Sequence, residues 1–226
     1  MSVLEVCCGN LPSVDAAVEG GAPRIDLCSH LELDGLTPAW KDLRTVRARY
    51  PGLLVHVLIR SRAGDFHYTT EEVQAMADEI RTAVSLGADG IVCGALDSQG
   101  NVDLTALRIW MDAAGDVPVT FHRAFDVCRD PSAALEDIIG LGCRRILTSG
   151  QAPTALAGAV LIARLRQQAA GRILLLPGGG IGPDNARAVL EKTGCSELHA
   201  SASEKSPDGT RVTSGRKVAA ILAAML

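Results

Sequence analysis

Aromatic side chains are scarce in this chain, at 3% of 226 residues, so a core has to be assembled from Leu, Val, Ile and Ala. A surplus of basic charge is also missing. The formal net charge is -4 and the isoelectric point is near 5.7, which argues against a partner bound through a phosphate backbone. No apolar run approaches the roughly 20 residues that cross a bilayer, so a membrane partner is not expected. The seven cysteines, at 7, 8, 28, 93, 128, 143 and 195, lack the paired spacing of a zinc ribbon or a redox CxxC and read as reduced thiols near the core. Pro/Ser-rich linkers and low-complexity blocks are absent, which predicts one domain over 1–226. The start of the chain passes from Met1 into an apolar segment carrying Glu5, with no basic stretch or cleavage site, and this predicts a cytoplasmic protein.

What is present is a repeated exchange between short β-type runs and longer helical stretches. Strand candidates fall at 3–8, 24–28, 53–60, 90–93, 117–122, 145–148, 173–176 and 197–200. Helical segments between them carry ordinary punctuation: Thr70-Glu71-Glu72 opens a run that closes at Gly87, and Asp130-Pro131 opens one that closes at Gly142. Two strands are entered through similar phrases, Glu19-Gly20-Gly21-Ala22 and Leu86-Gly87-Ala88-Asp89. Eight strands alternating with helices predict an α/β protein with a parallel sheet, and the length suits a single (β/α)₈ TIM barrel. A doubly wound open sheet is the structural competitor, but its Gly-rich crossover belongs near the start, and here the glycine cluster comes late.

Side chains alternate across a strand, so residues two apart share a face, and in a barrel one face meets the axis. Glu5 and Cys7 share a face in the first strand, Arg24, Asp26 and Cys28 in the second, and Glu197, His199 and Ser201 in the last. The opposite faces, Leu4 and Val6, Ile25 and Leu27, Leu198 and Ala200, are what a helix layer requires. The polar faces are therefore expected inside. Arg60 and His122, at the ends of the third and fifth strands, join Glu5, Arg24, Asp26, Glu197 and His199 in a mixed-charge cluster with the residue types of acid–base chemistry. His122 or Glu5 is the candidate base, Arg24 and Arg60 would neutralise an oxyanion, and His199 would donate a proton. A structural ion-pair network is the plainer reading of the same residues.

After the seventh strand, Pro177-Gly178-Gly179-Gly180-Ile181-Gly182-Pro183 opens a helix at Pro183. Amides of Gly178, Gly179 and Gly180, with the Ser201 hydroxyl and Lys205, are candidates to hold an anion, because in such barrels the loops after strands seven and eight commonly bind phosphate. A tight turn explains the glycines equally well.

Several stretches resemble the CutC copper-homeostasis family: Leu4-Glu5-Val6-Cys7, Gly21 to Cys28, Gly35-Leu36-Thr37-Pro38, Gly64-Asp65-Phe66, Thr120 to Asp126, Arg145 to Gly150, Pro177 to Gly180 and Glu197-Leu198-His199. The likeness covers essentially the whole chain. It implies a (β/α)₈ barrel, a cytoplasmic place, homo-oligomers and a role in copper handling. Asp26 stands where the family usually has Glu, Ser61 where it has Pro, and Asp34 where it has Gly. Cu(I) favours soft thiolates, and Cys7 and Cys28 on neighbouring strands are the candidate ligands, with His30 nearby; Cys8 points away from Cys7. The competing reading is an enzyme acting on a small anionic or phosphorylated metabolite, with no organic cofactor evident. A scaffold that binds a protein partner is the third.

Overall fold

The computed structural model describes residues 2–205, the Lys205 side chain excepted, and 211–226. Eight strands, β1(Val3–Cys8), β2(Arg24–Leu27), β3(Leu54–Leu58), β4(Gly90–Cys93), β5(Val119–Phe121), β6(Arg145–Thr148), β7(Leu174–Pro177) and β8(Glu197–Ala200), form one parallel sheet in the order β7-β6-β5-β4-β3-β2-β1-β8. A parallel bridge between Gly178 and His199, just past the end of β7, brings the two outer strands together and nearly closes the barrel. The eight helices α1(Leu11–Glu19), α2(Trp40–Arg49), α3(Thr70–Ser85), α4(Leu104–Ala114), α5(Pro131–Gly140), α6(Ala159–Ala169), α7(Ala186–Thr193) and α8(Gly215–Ala224) each follow a strand, and a hairpin of β9(Ser203–Lys205) and β10(Arg211–Thr213) precedes α8.

The main core lies between sheet and helices. Leu4, Val6 and Cys8 of β1, Ile25 and Leu27 of β2, and Val55 and Val57 of β3 are buried there. Helix faces meet them in register: Val73, Met76, Ala77, Ile80 and Ala83 of α3 repeat every three or four residues and are all buried. Of the few aromatics, Trp110, Phe121 and Phe125 are fully buried, and Trp110 Nε1 donates to the Val73 carbonyl at 2.9 Å. Helix starts follow the punctuation. Thr69 and Glu72 form a reciprocal capping box at α3, and the Asp130 carboxylate caps α5 ahead of Pro131. The echoed phrases are one turn used twice. Gly21 and Gly87 take φ of 87° and 88° three residues before β2 and β4, a left-handed conformation that ends a helix and that only glycine adopts without strain.

Several boundaries differ from the sequence expectation, most by one residue, and three larger shifts have a clear physical cause. The third strand stops at Leu58 because the Arg60 backbone leaves the ladder: its N–H donates to Thr37 Oγ1 at 3.0 Å and its carbonyl accepts from Thr37 N at 3.0 Å. The fifth begins at Val119 because the Val117 amide closes the preceding helix on the Ala114 carbonyl. The helix expected at Pro183 begins at Ala186, since the Asn185 side chain folds back to accept from Gly182 N at 2.9 Å and donate to the Gly180 carbonyl at 2.8 Å.

Candidate functional site at the barrel mouth

The period-two alternation sends the polar faces inward, and strand register then sorts them by depth. Glu5 pairs in register with Arg24 and His199, while Cys7 pairs with Asp26. Deep in the barrel, Glu5 is 0% exposed and accepts from Arg24 Nε at 2.7 Å. Arg24 also donates to Glu197, whose carboxylate takes a further bond from Arg145 Nε at 2.8 Å. His56 Nδ1 lies 2.8 Å from Glu5 Oε2 but off the axis of a hydrogen bond, so that contact is electrostatic. Burial alone would raise the Glu5 pKa, yet His199 and His56 outweigh it and hold the carboxylate ionised, well below its ordinary value.

This ladder corrects part of the expected cluster. Glu5, Arg24 and Glu197 do not line the open cavity; they form its floor, satisfied by one another and by Arg145. Nor does Gly178 line it, its backbone being committed to β6 and β8. His30 is exposed and turned to Glu32, away from the cysteines.

Above the floor opens a cavity of about 500 Å³, walled by Cys7, Asp26, Cys28, Arg60, His122, Gly179, Gly180, His199 and Ser201 among others. His199 Nδ1 donates to Glu5 Oε1 at 2.8 Å. Burial would lower the His199 pKa, but its contacts with Cys7 and Glu5 reverse this and hold it up at about 10, so the ring is a cation. Asp26 is pushed up as well, to about 7, by burial and by the Glu5 charge, and its Oδ1 is buried without a partner. The thiols of Cys7 and Cys28 lie 3.6 Å apart, and that contact together with burial raises the Cys7 pKa. His122 accepts from Ala124 N at its Nδ1, which leaves the ring proton on Nε2. Burial and the neighbouring Arg60 hold His122 down at about 3, so it is neutral.

The family-like segments meet around these groups. Arg60 Nη1 donates to the carbonyls of Leu33 and Gly35, Nη2 donates to that of Gly64, and the guanidinium lies 5.0 Å from the Phe66 ring. Phe66 in turn packs on His122 at 4.9 Å. Asp126 accepts from Thr148 Oγ1, Ser149 N and Arg123 Nε, tying the fifth-strand loop to the sixth. In the loop after β7 the carbonyls of Gly179 and Gly180 are engaged by Ala155 N and Asn185, whereas the amides of Gly179, Gly180 and Ile181 have no protein acceptor among the described residues. Lys205, the other anion candidate, has its side chain outside the described residues.

Sequence reasoning missed His56 and Arg145, both on the inward faces of largely apolar strands. It also missed Arg123, Asp126 and Phe66. His56 shares the period-two face of Arg60, which was the available signal. Gly90 and Gly94 sit where β4 passes these rings; a Cβ on Gly94 would lie 2.7 Å from His122 Nδ1. Glycine there makes room for the imidazole.

The arrangement fits a soft metal ion that would displace the thiol protons and the His199 Nε2 proton, leaving Nδ1–H on Glu5. A Cys7 sulfur, an Asp26 oxygen and a His199 nitrogen lie within 4.8 Å of one another, with Cys28 beside them. At a metal–sulfur bond of about 2.3 Å, sulfurs at this separation subtend roughly 100° at a shared ion, which leaves room for a third ligand.

Fold and mouth together define a (β/α)₈ barrel with an ionic floor and a polar cavity at the carboxyl ends of its strands. Residues 2–204 match the CutC family model. A CutC from Chromobacterium violaceum is 48% identical over 88% of this chain and 81% of its own length, and one from Xanthomonas axonopodis pv. citri is 50% identical over 88% and 82%. Among solved structures, a CutC from Streptococcus agalactiae named as a candidate copper homeostasis protein superposes with a TM-score of 0.85 at 29% identity, covering 89% of this chain and 99% of that one. Phosphoribosyl anthranilate isomerase from Thermotoga maritima shares the fold alone, with a TM-score of 0.63, 14% identity and coverage of 100% and 98%. The chain belongs to the CutC family.

Proposed function

We propose that this barrel is a cytoplasmic copper-handling protein that holds Cu(I) at Cys7 and Cys28, with His199 and Asp26 completing the site. The observation that carries it is the pair of thiols 3.6 Å apart at the mouth, one on β1 and one just past β2, beside a histidine. Soft sulfur ligands select Cu(I) over the harder divalent ions. All seven cysteines are free thiols, which supports a reducing compartment. The family name and the resemblance support the copper role and assembly into homo-oligomers. In anaerobic titration against a competing Cu(I) chelator, the wild-type chain is expected to take up copper and the Cys7→Ser, Cys28→Ser double variant to lose tight binding. Equal affinity in the two removes the thiolate site.

A second reading rests on the cavity itself. About 500 Å³ is far more than one ion occupies and is in the range of small-molecule sites. On this reading the protein is an enzyme whose small, phosphorylated substrate is anchored by the Gly179, Gly180 and Ile181 amides and the Ser201 hydroxyl. Glycerol 3-phosphate is expected to raise the melting temperature; no shift at any concentration up to the solubility limit removes the reading.

A further inference from the structure

Arg60 is a buried cation with no counter-charge. It is 4% exposed, three of its hydrogen bonds go to neutral carbonyls, and no carboxylate of the described residues lies within 4.0 Å. The other guanidiniums inside the barrel, buried Arg24 and partly buried Arg145, are paired with Glu5 and Glu197. An unpaired buried charge is costly unless something neutralises it, so the exception calls for an explanation. Arg60 lines the cavity, and so does His122, whose Nε2–H is buried without an acceptor. Phe66 lies against both, fixing the two donors side by side. Gly179, Gly180 and Ile181 of the loop after β7, whose amides have no protein acceptor among the described residues, line the same cavity.

We propose that the ligand of this barrel carries two anionic groups, a phosphate at the glycine loop and a carboxylate that neutralises Arg60 and accepts from His122 Nε2–H. The assignment deepens the enzyme reading, on which it rests, by naming the substrate class as a small phosphorylated acid. A neutral His122 suits the role: it donates without adding a second buried cation next to Arg60. The planar guanidinium suits a two-oxygen acceptor better than a lysine would. The copper ligands Cys7, Cys28 and His199 come from β1, β2 and β8 or the residues after them, so this carboxylate end, on the residues after β3 and β5, is a separate part of the wall.

The test compares three probes by isothermal titration of the wild-type protein: 3-phosphoglycerate, which carries both groups, glycerol 3-phosphate, which carries only the phosphate, and lactate, which carries only the carboxylate. The expected order has 3-phosphoglycerate tightest by about tenfold or more, the scale of one charge-assisted hydrogen bond. In Arg60→Met that advantage is expected to vanish, leaving 3-phosphoglycerate equal to glycerol 3-phosphate, and in His122→Phe, which removes the Nε2–H donor, it is expected to fall below tenfold. Equal binding of the two phosphates to wild type overturns this inference while the phosphate anchor survives. A tenfold advantage that persists in both variants overturns the assignment to Arg60 and His122. Absence of binding by all three overturns the anchor and this inference together. Because the three-probe comparison needs only wild-type protein, it stands even if a variant fails to fold.

Discussion

Glu197 is the most informative residue to change, because the structure assigns it to the floor and gives it no surface on the cavity. Its carboxylate is shared by Arg24 and Arg145, and its side chain is 9% exposed against 13% for Arg145. In Glu197→Gln the two guanidiniums fare differently. Arg24 retains Glu5 at 2.7 Å, whereas Arg145 has no other acidic partner among the described residues. One nearly buried cation is left uncompensated. Breaking such a pair costs about 3–5 kcal/mol, and the slight solvent access of Arg145 places the expected loss near the lower figure. That is a large share of the roughly 5–15 kcal/mol that holds a typical domain folded.

The compensated variant provides the control. Glu197→Leu with Arg145→Leu removes one charge of each sign and leaves Arg24 on Glu5, so its expected loss is about 1 kcal/mol, less than for the single change despite two substitutions. Urea unfolding followed by circular dichroism at pH 7 reads both, provided the denaturant slope is unchanged. Copper uptake by the folded double variant should equal wild type. A single variant within about 1 kcal/mol of wild type would refute the uncompensated-charge reasoning, as would a double variant that loses the sum of both singles. Lost copper binding in a stable double variant would instead return Glu197 to the functional site.

The two mouth histidines should give pH dependences of opposite sign. His122 is held at about 3 when folded and rises toward 6.5 when unfolded, so the unfolded chain binds the extra proton and stability falls with acidification from about 6.5 to 3, by up to about 1.4 kcal/mol per pH unit; His122→Gln should flatten the urea midpoint over that window. His199 is held up at about 10, so its contribution is complete below about 6.5 and is lost as pH rises through 10; His199→Gln should flatten the alkaline limb, and an unaltered limb would contradict the ion pair with Glu5. Gly94→Ala is expected to lose about 1–3 kcal/mol and to shift the His122 ring resonances, because its Cβ would overlap Nδ1; a neutral effect would show that the ring has room to move.

Much of the fold was legible because each of its rules is local. Alternation of Glu5 and Cys7 against Leu4 and Val6 fixes which face of β1 meets the axis, and the same rule places Arg24 and Asp26 opposite Ile25 and Leu27. Capping residues and the glycines before β2 and β4 mark where helices begin and end. The boundaries that moved did so through tertiary bonds that no local pattern records, such as Thr37 capturing the Arg60 backbone and Asn185 folding onto the glycine loop. Arg145 escaped notice because a lone polar residue among apolar neighbours does not establish a polar face, whereas His56 could have been found from the face it shares with Arg60.

Depth was illegible for a deeper reason. Alternation says that Glu5, Cys7, Arg24, Asp26, Glu197 and His199 point inward, but their level along the axis depends on how each strand is staggered against the next, a property of barrel closure rather than of any one strand. Register places Glu5 beside Arg24 and Cys7 beside Asp26, and so divides one apparent cluster into a self-satisfied floor and an open mouth. The division decides what each residue can do. Floor residues spend their hydrogen bonds on one another, and changing them should be felt in stability. At the mouth, Arg60, His122 and Asp26 retain buried polar atoms without a protein partner, and those groups are what a ligand has to satisfy. Copper at Cys7 and Cys28 would leave the Arg60 charge unanswered; an acid bound there would answer it without touching the thiols, so the two occupants make separable demands on one cavity.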